Sequence, residues 1–233
     1  MNPSKSLLRY ELKLVFSHGG WLALLVFPGF VLLTWAMTWQ SDLQMKNFIS
    51  AASAFEILLP AVAALTAAPL MSLEGQSNFN ELRASYPEPW WQLPLTRTLD
   101  AFLWKLLAVG VGVGALTAAG LRLDIQTLLP AMAPSLWLLG LGLLVGNLTQ
   151  NYWATIGVSL GYWLINLIAQ AELRQGTVTG ALFPFAYSFP LEQVSYELNR
   201  ALLAGLGTLC LVLNAWLAFN LRRRKWKRHA TTS

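Results

Sequence analysis

One acidic side chain lies inside an apolar stretch of this sequence. Glu56 falls within residues 48–72, which are otherwise almost free of charge. A carboxyl group is costly to bury in lipid, so by default it indicates a functional role, such as contact with a cationic or peptide group. The other interpretation is structural: the carboxyl is protonated, or bonded to a neighbour such as Asn166 or Gln170. The sequence leaves both interpretations open.

No set of catalytic or metal-binding residues accompanies this acid. The two histidines, His18 and His229, lie outside the apolar stretches, whereas the one cysteine, Cys210, lies inside one. This arrangement argues against an intramembrane Ser–His pair and against a His-based metal cluster. Neither G-x-x-x-x-G-K-[ST] nor H-E-x-x-H occurs. We therefore expect no catalytic residue, no metal and no cofactor in this chain.

The composition indicates that apolar helices hold these residues. Hydrophobic residues make up 55% of the 233 residues and charged residues only 12%, against roughly 25% charged in soluble domains. A membrane-spanning helix needs about 20 mostly apolar residues. The sequence therefore predicts an all-α, polytopic membrane protein, a single domain over residues 1–233. Its six transmembrane helices are expected at residues 21–40, 48–72, 99–120, 128–148, 153–171 and 201–221.

The basic residues predict the orientation. With the N-terminus inside, most of the sixteen Lys and Arg residues fall on inner segments, in a set that includes Arg97 and Lys105. The tail at residues 222–233 is the densest basic region and follows an apolar stretch directly. This placement indicates a membrane anchor on anionic lipid and argues against nucleic-acid binding. Both termini are expected in the cytoplasm, and the anchor residues are Arg222, Arg223, Arg224 and Lys225.

Two further patterns concern the surface and the packing of the bundle. In residues 1–20, Leu7, Leu8 and Leu12 alternate with Arg9 and Lys13 at helical spacing, which predicts an amphipathic helix on the inner surface; a frayed terminus is the alternative. Three G-x-x-x-G pairs predict close helix packing within one subunit or between two, and we favour packing within a subunit. The pairs are Gly110 and Gly114, Gly142 and Gly146, and Gly157 and Gly161.

The inner connection at residues 73–98 is too long for a simple link between helices, which in bundles takes about 2–8 residues. Phe79, Leu82 and Tyr86 share one face at helical spacing, and Pro87 would end the helix that carries them. The segment therefore predicts a short amphipathic helix. Such a helix either binds a soluble partner or rests on lipid.

The outer connection at residues 172–200 is apolar in its middle but cannot span the membrane, because Pro184 and Pro190 interrupt it. Its aromatic residues Phe183, Phe185 and Phe189 fit two arrangements. One is a re-entrant hairpin before the last span, which requires that protein buries its backbone. The other is a folded outer loop that packs its aromatic rings against the bundle.

At the inner connection, the chain resembles the permease subunits of ABC-2 type ABC transporters. That family places an acid and Gly, then Glu-Leu, then Pro, then a basic residue after the second span. Phe79-Asn80 stands where the family commonly has Gly-Thr. The resemblance implies a coupling helix that docks on a separate ATPase subunit. The implied coupling residues are Glu74, Phe79, Glu81, Leu82, Arg83, Tyr86, Pro87 and Arg97.

The same resemblance implies the function. It predicts a non-enzymatic permease in the plasma (inner) membrane of a prokaryote, with ATP and Mg bound by the partner ATPase. A second permease subunit, identical or paralogous, would complete the path for a hydrophobic or amphipathic substrate. Residues expected along that path are Glu56, Phe183, Phe185 and Phe189. The alternatives are a non-transporting membrane scaffold or sensory subunit and a heme-exporter-type permease.

Overall fold

The computed structural model describes residues 21–39, 50–72, 92–120 and 125–230, and within these ranges the chain forms helices and no strand. The all-α prediction is therefore confirmed for the described residues. In chain order the α-helices are α1 Leu22–Trp39, α2 Ala51–Ser72, α3 Gln92–Ala118, α4 Leu129–Thr149, α5 Tyr152–Ile168, α6 Gln170–Leu173, α7 Thr177–Ala181 and α8 Tyr196–Ala230. A 3-10 turn at Ile125–Leu128 leads into α4.

Four of these helices are long and apolar enough to cross a membrane. The qualifying segments are Ala51–Ala68 in α2, Leu95–Ala118 in α3, Gln126–Thr149 at α4 and Tyr196–Leu217 in α8. Helices α1 and α5 are also apolar, but their qualifying segments are shorter. The chain is thus a membrane-embedded helical protein.

Helix α2 lies at the centre of the bundle. It packs along α4 and also contacts α1, α3 and α5, while α8 packs on α4. Its buried side chains are mostly small, as at Ala63 and Ala67, which lets the neighbouring backbones approach closely. Larger side chains such as Phe55 and Leu59 fill the space between α1, α2 and α3.

Helices α4 and α8 touch through glycines. A Cβ atom added to Gly140 would lie 2.5 Å from the backbone oxygen of Gly207, and one added to Gly207 would lie 2.8 Å from the backbone of Leu136. Gly142 meets the Cβ of Ala67 on α2 in the same way, at 2.7 Å. Within-subunit packing therefore holds for Gly142. It does not hold for the other two predicted pairs, which meet nothing within 4 Å among the described residues: Gly110, Gly114, Gly157 and Gly161.

A two-residue turn reverses the chain between α4 and α5. Gln150 ends α4 in the left-handed region, with φ at 50°. The Asn151 side chain then caps α5, because its Oδ1 accepts hydrogen bonds from the backbone N–H groups of Trp153 and Ala154 at 2.9 and 3.2 Å. This cap satisfies two of the N–H groups that a helix start leaves unpaired.

We expect Asn151→Ala to lower the free energy of unfolding by about 1 kcal/mol, because the two N–H groups lose their acceptor. Thermal unfolding of the purified protein in one detergent measures this loss as a lower midpoint. Asn151→Asp keeps an acceptor oxygen at the same place and should stay near the wild-type midpoint. Equal losses for both variants would contradict the capping role.

Several predicted boundaries shift in the structure. Helix α3 begins at Gln92, so the last part of the predicted inner connection, including Arg97, is helical. Pro94 is compatible with this start because the first turn of a helix needs no N–H donor there. Helix α8 begins at Tyr196 and runs to Ala230, so the backbone of Arg222, Arg223, Arg224 and Lys225 continues the last helix. The predicted interfacial helix at residues 1–20 lies outside the described residues.

Candidate functional site

The segment that joins α5 to α8, residues 169–195, folds onto the bundle; we call it the connecting segment. It contains α6 and α7, and turns follow at residues 184–188. The predicted re-entrant hairpin is not confirmed, since one short helix, Thr177–Ala181, precedes these turns. Phe183, Pro184, Phe185 and Ala186 are buried. The segment thus packs its aromatic residues against the bundle, as the alternative interpretation of the sequence expected.

Glu56 on α2 holds the turns of the connecting segment. Its carboxylate is fully buried and accepts hydrogen bonds from the backbone N–H groups of Tyr187 and Ser188, at 2.8 and 2.7 Å. The Ser188 hydroxyl donates a further bond at 2.6 Å. Arg200 on α8 completes the set through its Nη2. Each carboxylate oxygen therefore accepts two hydrogen bonds, which satisfies a charge that would otherwise be costly to bury.

Arg200 joins three parts of the molecule. Besides its ion pair with Glu56, its Nη1 donates a hydrogen bond to the backbone oxygen of Pro184 at 3.0 Å. Its guanidinium also lies over the ring of Tyr196, 4.8 Å from the centroid, at a distance that gives a cation–π attraction. The Arg200 side chain therefore ties the start of α8 to α2 and to the connecting segment.

Asn199, the neighbour of Arg200, binds the backbone of the connecting segment. Its Nδ2 donates to the carbonyl oxygens of Gly180, Ala181 and Phe183, at 3.0, 3.0 and 2.9 Å. Gly180 and Ala181 are the last residues of α7 and Phe183 follows them, so the Asn199 side chain binds the C-terminal end of this helix. The Asn199 side chain is itself fully buried.

An aromatic cluster fills the space under the connecting segment. Phe183 lies edge-on to Phe185 and to Phe189, with ring centroids 5.7 and 6.5 Å apart, and Phe185 lies edge-on to Trp163 at 6.3 Å. Trp163 on α5 in turn donates its Nε1–H to the backbone oxygen of Ile57 at 2.7 Å. The Tyr162 hydroxyl donates to the backbone oxygen of Leu182. The cluster therefore connects α2, α5 and the connecting segment.

We expect Asn199→Asp to loosen the connecting segment without unfolding the bundle. The carboxyl group has the same shape but cannot make the same three donations, and each lost hydrogen bond to a buried carbonyl costs about 1–3 kcal/mol. Hydrogen–deuterium exchange of peptides from residues 177–195 should speed up at least about tenfold. Gln193→Glu makes the same change of amide to acid at an exposed position, and its exchange should match the wild type. Unchanged exchange in Asn199→Asp would contradict the role of Asn199.

The structure brings the predicted path residues together but gives Glu56 a partner that the sequence analysis missed. Glu56 and the three phenylalanines share one site, and in the described conformation Glu56, Phe183 and Phe185 are closed off from solvent. The expected partner Asn166 instead donates to the backbone oxygen of Tyr162 at 2.8 Å. The sequence did offer one indication of Arg200: its positive charge is opposite to that of Glu56, and it lies directly before the last apolar stretch.

The predicted coupling residues fall almost entirely outside the described residues. Only Arg97 is described; its side chain is fully buried in α3 and lies 3.8 Å from the carboxylate of Asp100. The others lie in residues 73–91. For the predicted anchor residues, the structure describes the backbone alone.

Within the described ranges, no group of three or more His, Cys, Asp or Glu side chains is placed to hold a metal ion.

No protein-family model matches this sequence, and neither does any curated protein or solved structure.

Proposed function

We propose that this chain is the transmembrane permease subunit of an ABC-2-like exporter. It would move a hydrophobic or amphipathic substrate across the membrane, with ATP hydrolysed by a separate subunit. The proposal joins the sequence resemblance at the inner connection to the membrane-embedded helical bundle. The site around Glu56 contributes the observation that carries it.

That observation is the set of contacts that Glu56, Asn199 and Arg200 make with the connecting segment, which we call the clamp. The resemblance assigns a cap over the translocation path to the region before the last span. In this chain the same region folds onto the bundle, and Glu56, Asn199 and Arg200 hold it there. Because the contacts come from α2 and α8, a change in the separation of these two helices would release or re-form them together. The clamp thus supplies a closed outer state.

The proposed topology has six spans. Helices α1 and α5 have 18 and 17 residues, and spanning helices range from about 17 to 25 residues. Adding them to the four long helices places both termini on the same side. The basic C-terminal end of α8 then lies in the cytoplasm, in agreement with the positive-inside rule.

Cysteine labelling in intact cells tests this topology, in a Cys210→Ala background. A cysteine at Thr177, which is exposed on α7, should react with a membrane-impermeant thiol reagent. A cysteine at Ser233 should react only after the membrane is opened. The reverse pattern would contradict the orientation, and reaction of both in intact cells would contradict a membrane crossing by α8, the one helix that separates the two positions.

Affinity purification of the tagged chain from its native membrane tests the function. Mass spectrometry should find a P-loop ATPase in stoichiometric amount. Replacing Glu81, Leu82 and Tyr86 with Ala should abolish its co-purification, because the resemblance places the docking helix there. The control is Arg174→Gln with Glu192→Gln, which changes charges in the connecting segment on the opposite side of the proposed topology.

A non-transporting membrane scaffold or sensory subunit is the second candidate. One observation favours it: the carboxylate of Glu56 has all its acceptor positions occupied, and Phe183 and Phe185 are fully buried. This candidate predicts that an intact bundle purifies without any ATPase. It also predicts that Glu56→Gln affects stability alone.

A further inference from the structure

A cleft of about 370 Å³ lies between α3, α4 and α8 and contains two basic side chains, Lys105 and Arg200. Apolar residues form the rest of its wall, among them Phe102, Met132 and Ala133. The volume falls in the range of about 300–1,000 Å³ that small-molecule sites occupy. Its combination of an apolar wall with a few convergent polar groups is also typical of such sites.

Lys105 lies halfway along α3. Helix α3 runs from Gln92 to Ala118, so Lys105 is its central residue, about 20 Å from either end at 1.5 Å per residue. Its side chain is buried within the bundle and does not extend to solvent. A buried positive charge is costly unless it meets an anion or another polar partner.

The described residues offer Lys105 little compensation. Its side chain is 5% exposed, and its ammonium lies 5.8 Å from the centroid of the Phe102 ring. No carboxylate among the described residues forms an ion pair with it. A cation–π contact at this distance is too weak to offset the cost of burying an ammonium group.

Arg200 adds a hydrogen-bond donor to the same cleft. Its ion pair with Glu56 offsets its charge, so the excess positive charge of the cleft comes from Lys105. Its Nε–H group, however, is buried and has no hydrogen-bond partner among the described residues. Both basic residues of the cleft therefore favour an anionic group with acceptor oxygens.

The rim of the cleft opens to the side of the bundle. Leu129 and Met132 of α4 line it and are 64% and 49% exposed. Exposed apolar side chains on a membrane-embedded helix face lipid chains or another apolar surface. A ligand that enters here must carry an apolar part past α4 before its head reaches Lys105.

We propose that this cleft binds one amphipathic anion with a phosphate or carboxylate head and an alkyl chain. The head contacts the Lys105 ammonium and the Arg200 Nε–H, and the chain lies over Met132 and leaves the cleft past the exposed side of α4 into the bilayer. This inference rests on the membrane-embedded bundle and not on the proposed transport. Loss of ATPase co-purification and loss of anion binding are therefore separate results.

Native mass spectrometry of the purified full chain tests the proposal. The probes are dioleoyl phosphatidylglycerol and dioleoyl phosphatidylcholine at equal concentration, which share their alkyl chains but differ in head-group charge. The wild type should retain one phosphatidylglycerol molecule per chain in preference to phosphatidylcholine. Lys105→Gln should weaken that retention about tenfold, as expected for the loss of one charge-assisted hydrogen bond.

Two further variants separate this effect from general changes in charge or fold. Arg174→Gln removes a positive charge at an exposed ion pair outside the cleft, and its retention of phosphatidylglycerol should equal the wild type. Ala133→Phe fills the cleft but leaves both basic residues in place, and it should lose retention as Lys105→Gln does. Each variant is compared only where gel filtration and thermal unfolding match the wild type.

The source of the anion is tested by competition. Oleate that displaces phosphatidylglycerol supports the proposal and shows that a carboxylate head suffices. Displacement by inorganic phosphate at the same concentration would overturn the amphipathic ligand in favour of a free anion. Equal retention by wild type and Lys105→Gln would overturn the site. Disulfide formation between two chains at Met132→Cys, with no retained phosphatidylglycerol, would assign the cleft to a second copy of this chain.

Discussion

Replacing Glu56 with Leu is expected to lower the free energy of unfolding by roughly 3–5 kcal/mol, the cost of removing one partner from a buried ion pair. The substitution leaves the largely buried Arg200 guanidinium without its counter-charge. It also leaves the N–H groups of Tyr187 and Ser188 without acceptors. The loss is measured by denaturant unfolding in mixed micelles, with tryptophan fluorescence as the readout.

Two comparisons identify the buried pair as the cause. Glu192→Leu removes an exposed carboxylate that lies 3.8 Å from Arg174, and exposed pairs contribute only about 0–1 kcal/mol. Glu56→Leu combined with Arg200→Leu should recover part of the loss, because no unpaired charge then remains buried. Equal effects of Glu56→Leu and Glu192→Leu would refute the role of the clamp.

Glu56→Gln separates structure from transport. Gln keeps one acceptor oxygen for the connecting segment but loses the negative charge that pairs with Arg200. If the proposed permease function holds, export should change in this variant while its expression and unfolding midpoint stay measurable. Normal export with normal folding would assign Glu56 to structure alone.

Replacing Gly207 with Ala is expected to separate α8 from α4 and to lower the free energy of unfolding by about 1–3 kcal/mol, the usual cost of overpacking. The added Cβ would lie 2.8 Å from the backbone carbon and oxygen of Leu136 and from the backbone nitrogen of Trp137. Backbone atoms cannot rotate away as a side chain can. The two helices must therefore move apart and lose contacts along their length.

Gly205→Ala is the matched control, because Gly205 lies on the same helix and a Cβ there meets nothing within 4 Å among the described residues. Ala in a helix is favoured over Gly by roughly 0.5–1 kcal/mol, so this variant should be as stable as the wild type or slightly more stable. The same unfolding titration measures both variants. A loss at Gly205 equal to that at Gly207 would show that the close approach of α4 and α8 is not the cause.

The two largest predicted losses of stability concern two different contacts of α8. At the connecting segment, α8 contacts α2 through charge and hydrogen bonds; deeper in the bundle, it contacts α4 through glycines. The charged contact can separate if water or an anion replaces its partners, whereas the glycine contact depends on shape alone.

The sequence by itself determined the class of the protein and the identity of its long helices. Backbone groups in lipid must be satisfied within the chain, so long apolar stretches form helices whatever their neighbours are. The predicted spans at residues 48–72, 99–120, 128–148 and 201–221 accordingly correspond to α2, α3, α4 and α8. Glu56 was also identifiable, because an acid inside such a stretch is rare.

Only the tertiary structure decided what these helices present to one another. In a membrane, core-facing and lipid-facing side chains are both apolar, so the sequence pattern does not reveal how each helix is rotated. The spacing of Gly110 and Gly114 therefore looked like that of Gly142 and Gly146, yet a Cβ added at Gly142 would meet α2, whereas one added at Gly110 or Gly114 would meet nothing within 4 Å among the described residues. The fold also decided the partners of the charged residues. Arg200 is far from Glu56 in the sequence and became its partner because the fold brings the start of α8 within reach of α2. Lys105 became a buried charge at an open cleft.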